Sequence, residues 1–185
     1  MVELAHFHPE YAHYEPSAWS YFRAAVRRSD VGPDDVFVDF GCGRGRVLYQ
    51  AAHLPFARVI GVEISERLSR EARANIAGVR DRLAARRIEI VHADATQFEI
   101  PDDMTFAYFF HPFTGDAFRR VIDRMLESLD RHPRRLRLVY VCPSMEEYLH
   151  ETGRFRLHRR VKGGWRDTEV TRRILIYDAL PADVV

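Results

Sequence analysis

Residues 36–47 read VFVDFGCGRGRV. The first part, with Asp35 before it, is apolar enough to be a strand buried on both faces. It runs straight into three glycines, Gly41, Gly43 and Gly45, and then into the helical run RVLYQAAHL. Glycines at such a junction let the backbone turn sharply and let a ligand approach the main chain. A strand, a glycine turn and a helix in that order open a parallel sheet, whose ligand belongs at the carboxyl ends of the strands.

The order of elements downstream agrees. ARVIGVEI (57–64), IEIVHAD (88–94), MTFAYFF (104–110) and RRLRLVYVC (134–142) read as further strands. SERLSREARANIAGVRDRLAARR (65–87) reads as a helix capped by Ser65, with Leu68, Ala72, Ile76 and Val79 as its stripe and Gly78 as its weak point. GDAFRRVIDRMLESLDRHP (115–133) is a second long helix and SMEEYLHETG (144–153) a short one. RFRLHRRV (154–161) and EVTRRILIYDAL (169–180) alternate like an antiparallel pair around the loop KGGWRDT. Ahead of the glycine turn, EPSAWSYFRAAVRRS (15–29) reads as an amphipathic helix with Pro16 in its first turn and Trp19, Phe22, Ala25 and Val26 on one face. The expected fold is α/β: a three-layer sandwich on a mostly parallel seven-stranded sheet whose last two strands form an antiparallel hairpin. Residues 1–30 form an N-terminal segment and helix on the substrate side; residues 31–185 form the ligand-binding domain.

Composition sets wide limits. The 185 residues are 46% apolar and 30% charged with a net charge of +1, which suits a globular domain and gives no overall pull toward nucleic acid or acidic lipid. Arginines gather in RHPRRLR (131–137), RFRLHRR (154–160) and WRDTEVTRR (165–173), where alternating strands would put them on a solvated face. Two cysteines, Cys42 and Cys142, make no disulfide framework and fit a reducing cytoplasm. The N-terminus lacks the pattern of a signal peptide, and no apolar run is long enough to span a bilayer. His6, His8 and His13 offer imidazoles, but no acid or thiol completes an evident metal set, and a polar lid is the better reading. Tyr11, Tyr14 and Trp19 could close over a ligand, with Tyr14 counted among the ligand-binding residues.

The chemistry lies at three strand ends. A dinucleotide fingerprint would have its third glycine where Arg46 stands; here it comes one residue early, at Gly45. Asp39 precedes the first glycine by two residues, where a carboxylate repels phosphate and attracts an ammonium group. Glu63 ends the second strand, followed by Ile64, and can accept both hydroxyls of a ribose. Asp94, followed by Ala95, comes just past the third strand, where the carboxylate or its adjoining backbone can read an adenine amino group. An ammonium acceptor, a ribose acceptor and an adenine reader on adjacent strand ends describe S-adenosyl-L-methionine. Cys42, inside the loop, counts with Gly41 and Gly43 as a contact or fills the space beneath it.

With VDFGCGRG (38–45), GVEIS (61–65) and HADAT (92–96) in this order and spacing, the chain resembles the class I, seven-stranded S-adenosylmethionine-dependent methyltransferases. The resemblance runs over roughly residues 30–180. It implies that Asp39 and the glycine loop hold the methionine part, Glu63 the ribose and Asp94 the adenine. The lead segment YEPSAW with the glycine loop also looks distantly like the non-SET histone-lysine methyltransferases and small bacterial relatives.

The acceptor side rests on FFHPFTG (109–115), the exit of the fourth strand. In this family that strand ends beside the first, so His111, Pro112 and Phe113 should face the transferred methyl. Relatives that methylate planar nitrogens often carry Asn/Asp-Pro-Pro-Tyr/Phe here; this chain has one proline and an aromatic but lacks the amide and the second proline. His111 has two readings, as a base or acceptor for the substrate proton and as a main-chain partner shaping the Pro112 turn. The expected acceptor is an N or O atom, on a small molecule or protein side chain before a nucleic acid. Two rival readings are a non-catalytic S-adenosylmethionine-binding protein and an NAD-dependent oxidoreductase.

Overall fold

A computed structural model describes residues 10–11, 14–162 and 173–184. The histidines at 6, 8 and 13 and the loop between the last two strands lie outside the described residues. Seven strands are present: β1 (Val36–Phe40), β2 (Arg58–Glu63), β3 (Arg87–His92), β4 (Phe106–Phe110), β5 (Leu136–Val141), β6 (Phe155–Lys162) and β7 (Arg173–Ala179). Their order in the sheet is β3-β2-β1-β4-β5-β7-β6. The first five pair in parallel, and β7 runs antiparallel to both β5 and β6. The helices are α1 (Trp19–Ala25), α2 (Arg46–Ala51), α3 (Glu66–Ala77), α4 (Gly115–Arg131) and α5 (Glu146–Glu151).

The period-2 alternation of the strands sorts side chains into two cores. Val36, Val38 and Phe40 of β1 face one side, with Phe109, Tyr140 and Tyr177 and the α4 residues Phe118, Ile122, Met125 and Leu129. Phe37 faces the other, with Tyr108, Val139, Phe22 of α1, Leu48 of α2 and Ile76 of α3. Helices therefore cover both faces, which gives the expected three layers. Each fully buried Phe, Ile or Met contributes on the order of 1.5–3 kcal/mol of transfer free energy, so α4 is held by its apolar stripe.

Local departures have local causes. The first helix begins only at Trp19, with Pro16 left outside in extended chain, and ends at Ala25. Trp19 is 47% exposed, so the inward face is carried by Tyr21, Phe22 and Ala25 instead. The long helix expected over 65–87 stops at Ala77: Gly78 caps it, and a short 3-10 turn, Arg80–Arg82, follows. Ser65 does cap its start, accepting from the Leu68 N–H. Among the described residues, no helix is long and apolar enough to cross a membrane.

Candidate active site

The central feature is a buried acid. Asp39 lies in register between Gly61 of β2 and Tyr108 of β4, at the carboxyl end of β1. It is only 3% exposed. Among the described residues no hydrogen-bond donor or cation reaches its carboxylate. Burial, and then the charge of nearby Glu63, push its pKa well above the ordinary carboxylate range.

Glu63, also buried, ties the glycine loop to the end of β2. Its Oε2 accepts from the Gly43 N–H at 2.8 Å and its Oε1 from the Ser65 N–H at 2.9 Å. Burial raises its pKa and these N–H groups oppose the rise. Each carboxylate oxygen keeps a second lone pair, so the capacity to accept hydroxyls remains. The Ile64 carbonyl pairs with His92 Nε2 at 3.1 Å.

Two of the loop glycines are required by close approach. Gly41 has φ +80°, and a Cβ there would lie 2.8 Å from the Pro112 Cβ. Gly43 has φ +53°, and a Cβ there would lie 2.3 Å from Cε2 of Tyr14. The β4 exit thus packs directly on the start of the loop, and the Tyr14 ring lies over its middle. Gly45 caps α2. Cys42 is 6% exposed; its N–H donates to the Val62 carbonyl, and its thiol sits where a Cβ on Gly61 would go. It packs beneath the loop, the second of the two roles its position allowed.

Asp94 is half-buried. Its Oδ1 accepts from Tyr11 Oη at 2.6 Å and from both the N–H and Oγ1 of Thr96 at 2.8 Å. Burial pushes its pKa up, but the bonds from Tyr11 and Thr96 outweigh it and hold the carboxyl below its ordinary value. Ala95 is buried in the α4-side core.

At the β4 exit, His111 adopts φ +43° and is half-buried, which lowers its pKa. Its Nδ1 lies 2.9 Å from Ser144 Oγ, just past β5, and Ser144 Oγ lies 3.4 Å from Tyr140 Oη. Phe113 differs from expectation. It is 2% exposed, enclosed by Tyr11, Phe109 and Phe118. The Pro112 turn and a bridge to Tyr11 fold this ring into the core, away from any substrate surface.

Sequence reasoning missed several participants. Glu10 accepts from the Asp116 and Ala117 N–H groups at 2.9 Å each, and its carbonyl from the Thr114 N–H at 2.8 Å, so it caps α4 from across the chain. Arg46 donates to the Ser17 carbonyl at 2.9 Å, and Ser17 Oγ meets Tyr108 Oη at 3.1 Å. Ser144 and Tyr140 went unremarked because their meeting with His111 depends on the order of β4 and β5. The one available signal was a Cys-Pro-Ser turn at the carboxyl end of a strand.

This arrangement fits a zwitterionic nucleoside ligand. Two buried acids stand together with no cation beside Asp39 among the described residues, and a buried charge without a partner is costly. A ligand ammonium group would supply that partner. At Gly41 and Gly43 the loop leaves room only for glycine.

The methyltransferase-domain family pattern matches residues 37–132, more than half of the chain. The chain belongs to this family. Its seven-stranded sheet is that of the class I, S-adenosylmethionine-dependent methyltransferases. A protein-lysine N-methyltransferase of Saccharolobus islandicus is 38% identical over 64 residues, 34% of this chain and 40% of that protein. The match therefore spans less than half the length of that relative. Among solved structures, an RNA methyltransferase of Salinibacter ruber in complex with S-adenosyl-L-homocysteine superposes with a TM-score of 0.57 at 19% identity, covering 91% of this chain and 95% of that one. The magnesium protoporphyrin IX methyltransferase of Synechocystis PCC 6803 with bound cofactor gives 0.54 at 21% identity, covering 79% and 69%. These two share the fold and differ in their named acceptors.

Proposed function

We propose that this methyltransferase holds its donor on Asp39, Glu63 and Asp94 and delivers the methyl group to a nitrogen of a protein side chain at the β4 exit. Bound S-adenosylmethionine supplies a methyl on a sulfonium with a good leaving group. Asp39 takes the ammonium end together with Gly41, Gly43 and Gly45; Glu63 takes the ribose hydroxyls beside Ile64; Asp94 and the backbone at Ala95 take the adenine. Tyr14 covers the glycine loop, and residues 1–30 form the substrate-side segment. His111 and Pro112 border the acceptor, where positioning supplies much of the rate.

The observation that carries the donor assignment is the buried Asp39 carboxylate, with Glu63 beside it and no described donor in reach. The acceptor reading is supported by the protein-lysine N-methyltransferase relative and by a net charge of +1, which gives no general affinity for RNA. The test is transfer of label from S-adenosylmethionine into cell extract fractionated into protein, RNA and metabolites. Label in the protein fraction, on lysine after hydrolysis, is the expected result. Label confined to RNA or metabolites overturns the acceptor. Absence of cofactor binding by calorimetry overturns the donor assignment.

A further inference from the structure

His111 is held by a chain of hydroxyls whose proton order can be worked out. Tyr140 Oη accepts from the Met145 N–H at 3.1 Å. The hydroxyl belongs to a buried residue, and its own hydrogen has one acceptor among the described residues, Ser144 Oγ at 3.4 Å. A buried hydroxyl hydrogen left without an acceptor carries a desolvation penalty, so Tyr140 donates to Ser144. Among the described residues, the acceptor in reach of the exposed Ser144 hydroxyl is then His111 Nδ1 at 2.9 Å. A neutral imidazole has one N–H and one acceptor nitrogen. With Nδ1 accepting, the proton is on Nε2, which has no partner among the described residues.

We infer that Ser144 and Tyr140 are positioning residues that fix His111 as the Nε2–H tautomer, so that His111 meets the acceptor as a hydrogen-bond donor. This deepens the role of the β4 exit and rests on the placement of the acceptor there. A protonated Nε2 cannot take a proton from an incoming ammonium group. It can bind an oxygen beside the target, and in a protein acceptor that oxygen is a peptide carbonyl. The acceptor amine must then lose its proton to solvent. Burial of His111 agrees with this, because it favours the neutral ring.

The backbone is consistent with a donor role that an amide could fill. Asparagine tolerates the left-handed conformation His111 adopts better than most residues do. It offers an N–H donor and an oxygen acceptor but no base.

The test has two arms on the full chain. Nitrogen-15 spectra of the histidine rings at pH 8, without cofactor, read the tautomer directly. His111 in the wild type is expected to show a protonated Nε2 and an unprotonated Nδ1. Tyr140→Phe and Ser144→Ala should mix the two forms, and Ser144→Thr should restore the wild-type pattern. A protonated Nδ1 in the wild type overturns the inference, as does an unchanged pattern in both Tyr140→Phe and Ser144→Ala. In the second arm, His111→Asn and His111→Ala are compared with labelled S-adenosylmethionine and the extract fraction that wild type labels. His111→Asn should keep labelling within about tenfold of wild type while His111→Ala loses more than that, since only the amide replaces the lost hydrogen-bond donor. Equal loss in both overturns the donor role. If wild type labels nothing, the proposed function fails while the spectra still decide the tautomer.

Discussion

At the carboxyl ends of β1 and β2 the site is made of backbone and buried acid. At the ends of β4 and β5 it is made of side chains that reach one another across strands. The donor edge has Asp39 with no described partner and Glu63 bonded to two main-chain N–H groups. The acceptor edge has His111, Ser144 and Tyr140 in sequence, with Pro112 resting on Gly41 where the edges meet. A buried unpaired carboxylate is unstable until a ligand completes it; a satisfied hydroxyl chain is stable without one. The donor edge therefore gains most from its ligand, and the acceptor edge is already ordered. The N-terminal segment joins the two, through Tyr14 over the loop, Tyr11 on Asp94 and Glu10 on α4.

The difference can be broken most severely at Asp39. Asp39→Asn should weaken cofactor binding by roughly 100-fold or more, the scale of losing one partner of a buried charge pair, as read by calorimetry. The ligand-free protein should lose no stability. The folded-state pKa of Asp39 is raised above its ordinary value of 3.8. The folded state thus holds the proton longer than the unfolded chain. Stability from this group is present below that value and declines as pH rises from there toward the folded pKa. Thermal melts of the free protein between pH 4 and 8 should fall less for Asp39→Asn than for wild type. A variant that binds the cofactor as tightly as wild type ends the donor assignment.

Gly41 tests whether the two edges are mechanically joined. Gly41→Ala places a Cβ against the rigid Pro112 ring at a φ of +80°. A non-glycine residue in such a conformation costs about 1–3 kcal/mol, and urea unfolding should show a loss in that range. The His111 resonances should also shift, because the β4 exit must move. Lost stability with unmoved His111 signals would show that the loop yields instead. Glu10→Ala removes two acceptors from the start of α4 and should cost about 1–2 kcal/mol by the same measurement, with Glu10→Gln recovering part of it. An unchanged midpoint in Glu10→Ala would mean that solvent caps the helix equally well.

The donor edge was legible because its chemistry is contiguous in sequence. VDFGCGRG, GVEIS and HADAT each hold a strand end and its candidate acid within a few residues, and the parallel order that unites them follows from alternating strand and helix patterns. The acceptor edge was legible only as a place. His111 stands out in FFHPFTG, but its partner is 33 residues away and depends on β4 lying beside β5. Phe113 shows the same limit in reverse: a ring after a His-Pro turn looks exposed until Tyr11 and α4 are known to close over it. Glu10 caps a helix 106 residues downstream, and no local pattern encodes that. Gly78 behaved as its composition implies, with α3 ending there because glycine is a poor helix interior.

The smallest expected effect is at Tyr11, and it probes the join between the segment and the donor edge. Tyr11→Phe keeps the ring against Phe113 and removes the hydroxyl that donates to Asp94. The loss should be about 0.5–1.5 kcal/mol at neutral pH. Its pH dependence has a definite sign. Asp94 has a folded pKa below 3.8, so its contribution is present above that value and is lost as pH falls through the folded pKa. Removing the Tyr11 hydroxyl brings the Asp94 pKa back toward its ordinary value. The stability gap between wild type and Tyr11→Phe should therefore be constant above about pH 5 and narrow below it. A gap that persists unchanged to acid pH would mean that the Tyr11 hydroxyl acts through something other than the Asp94 carboxylate.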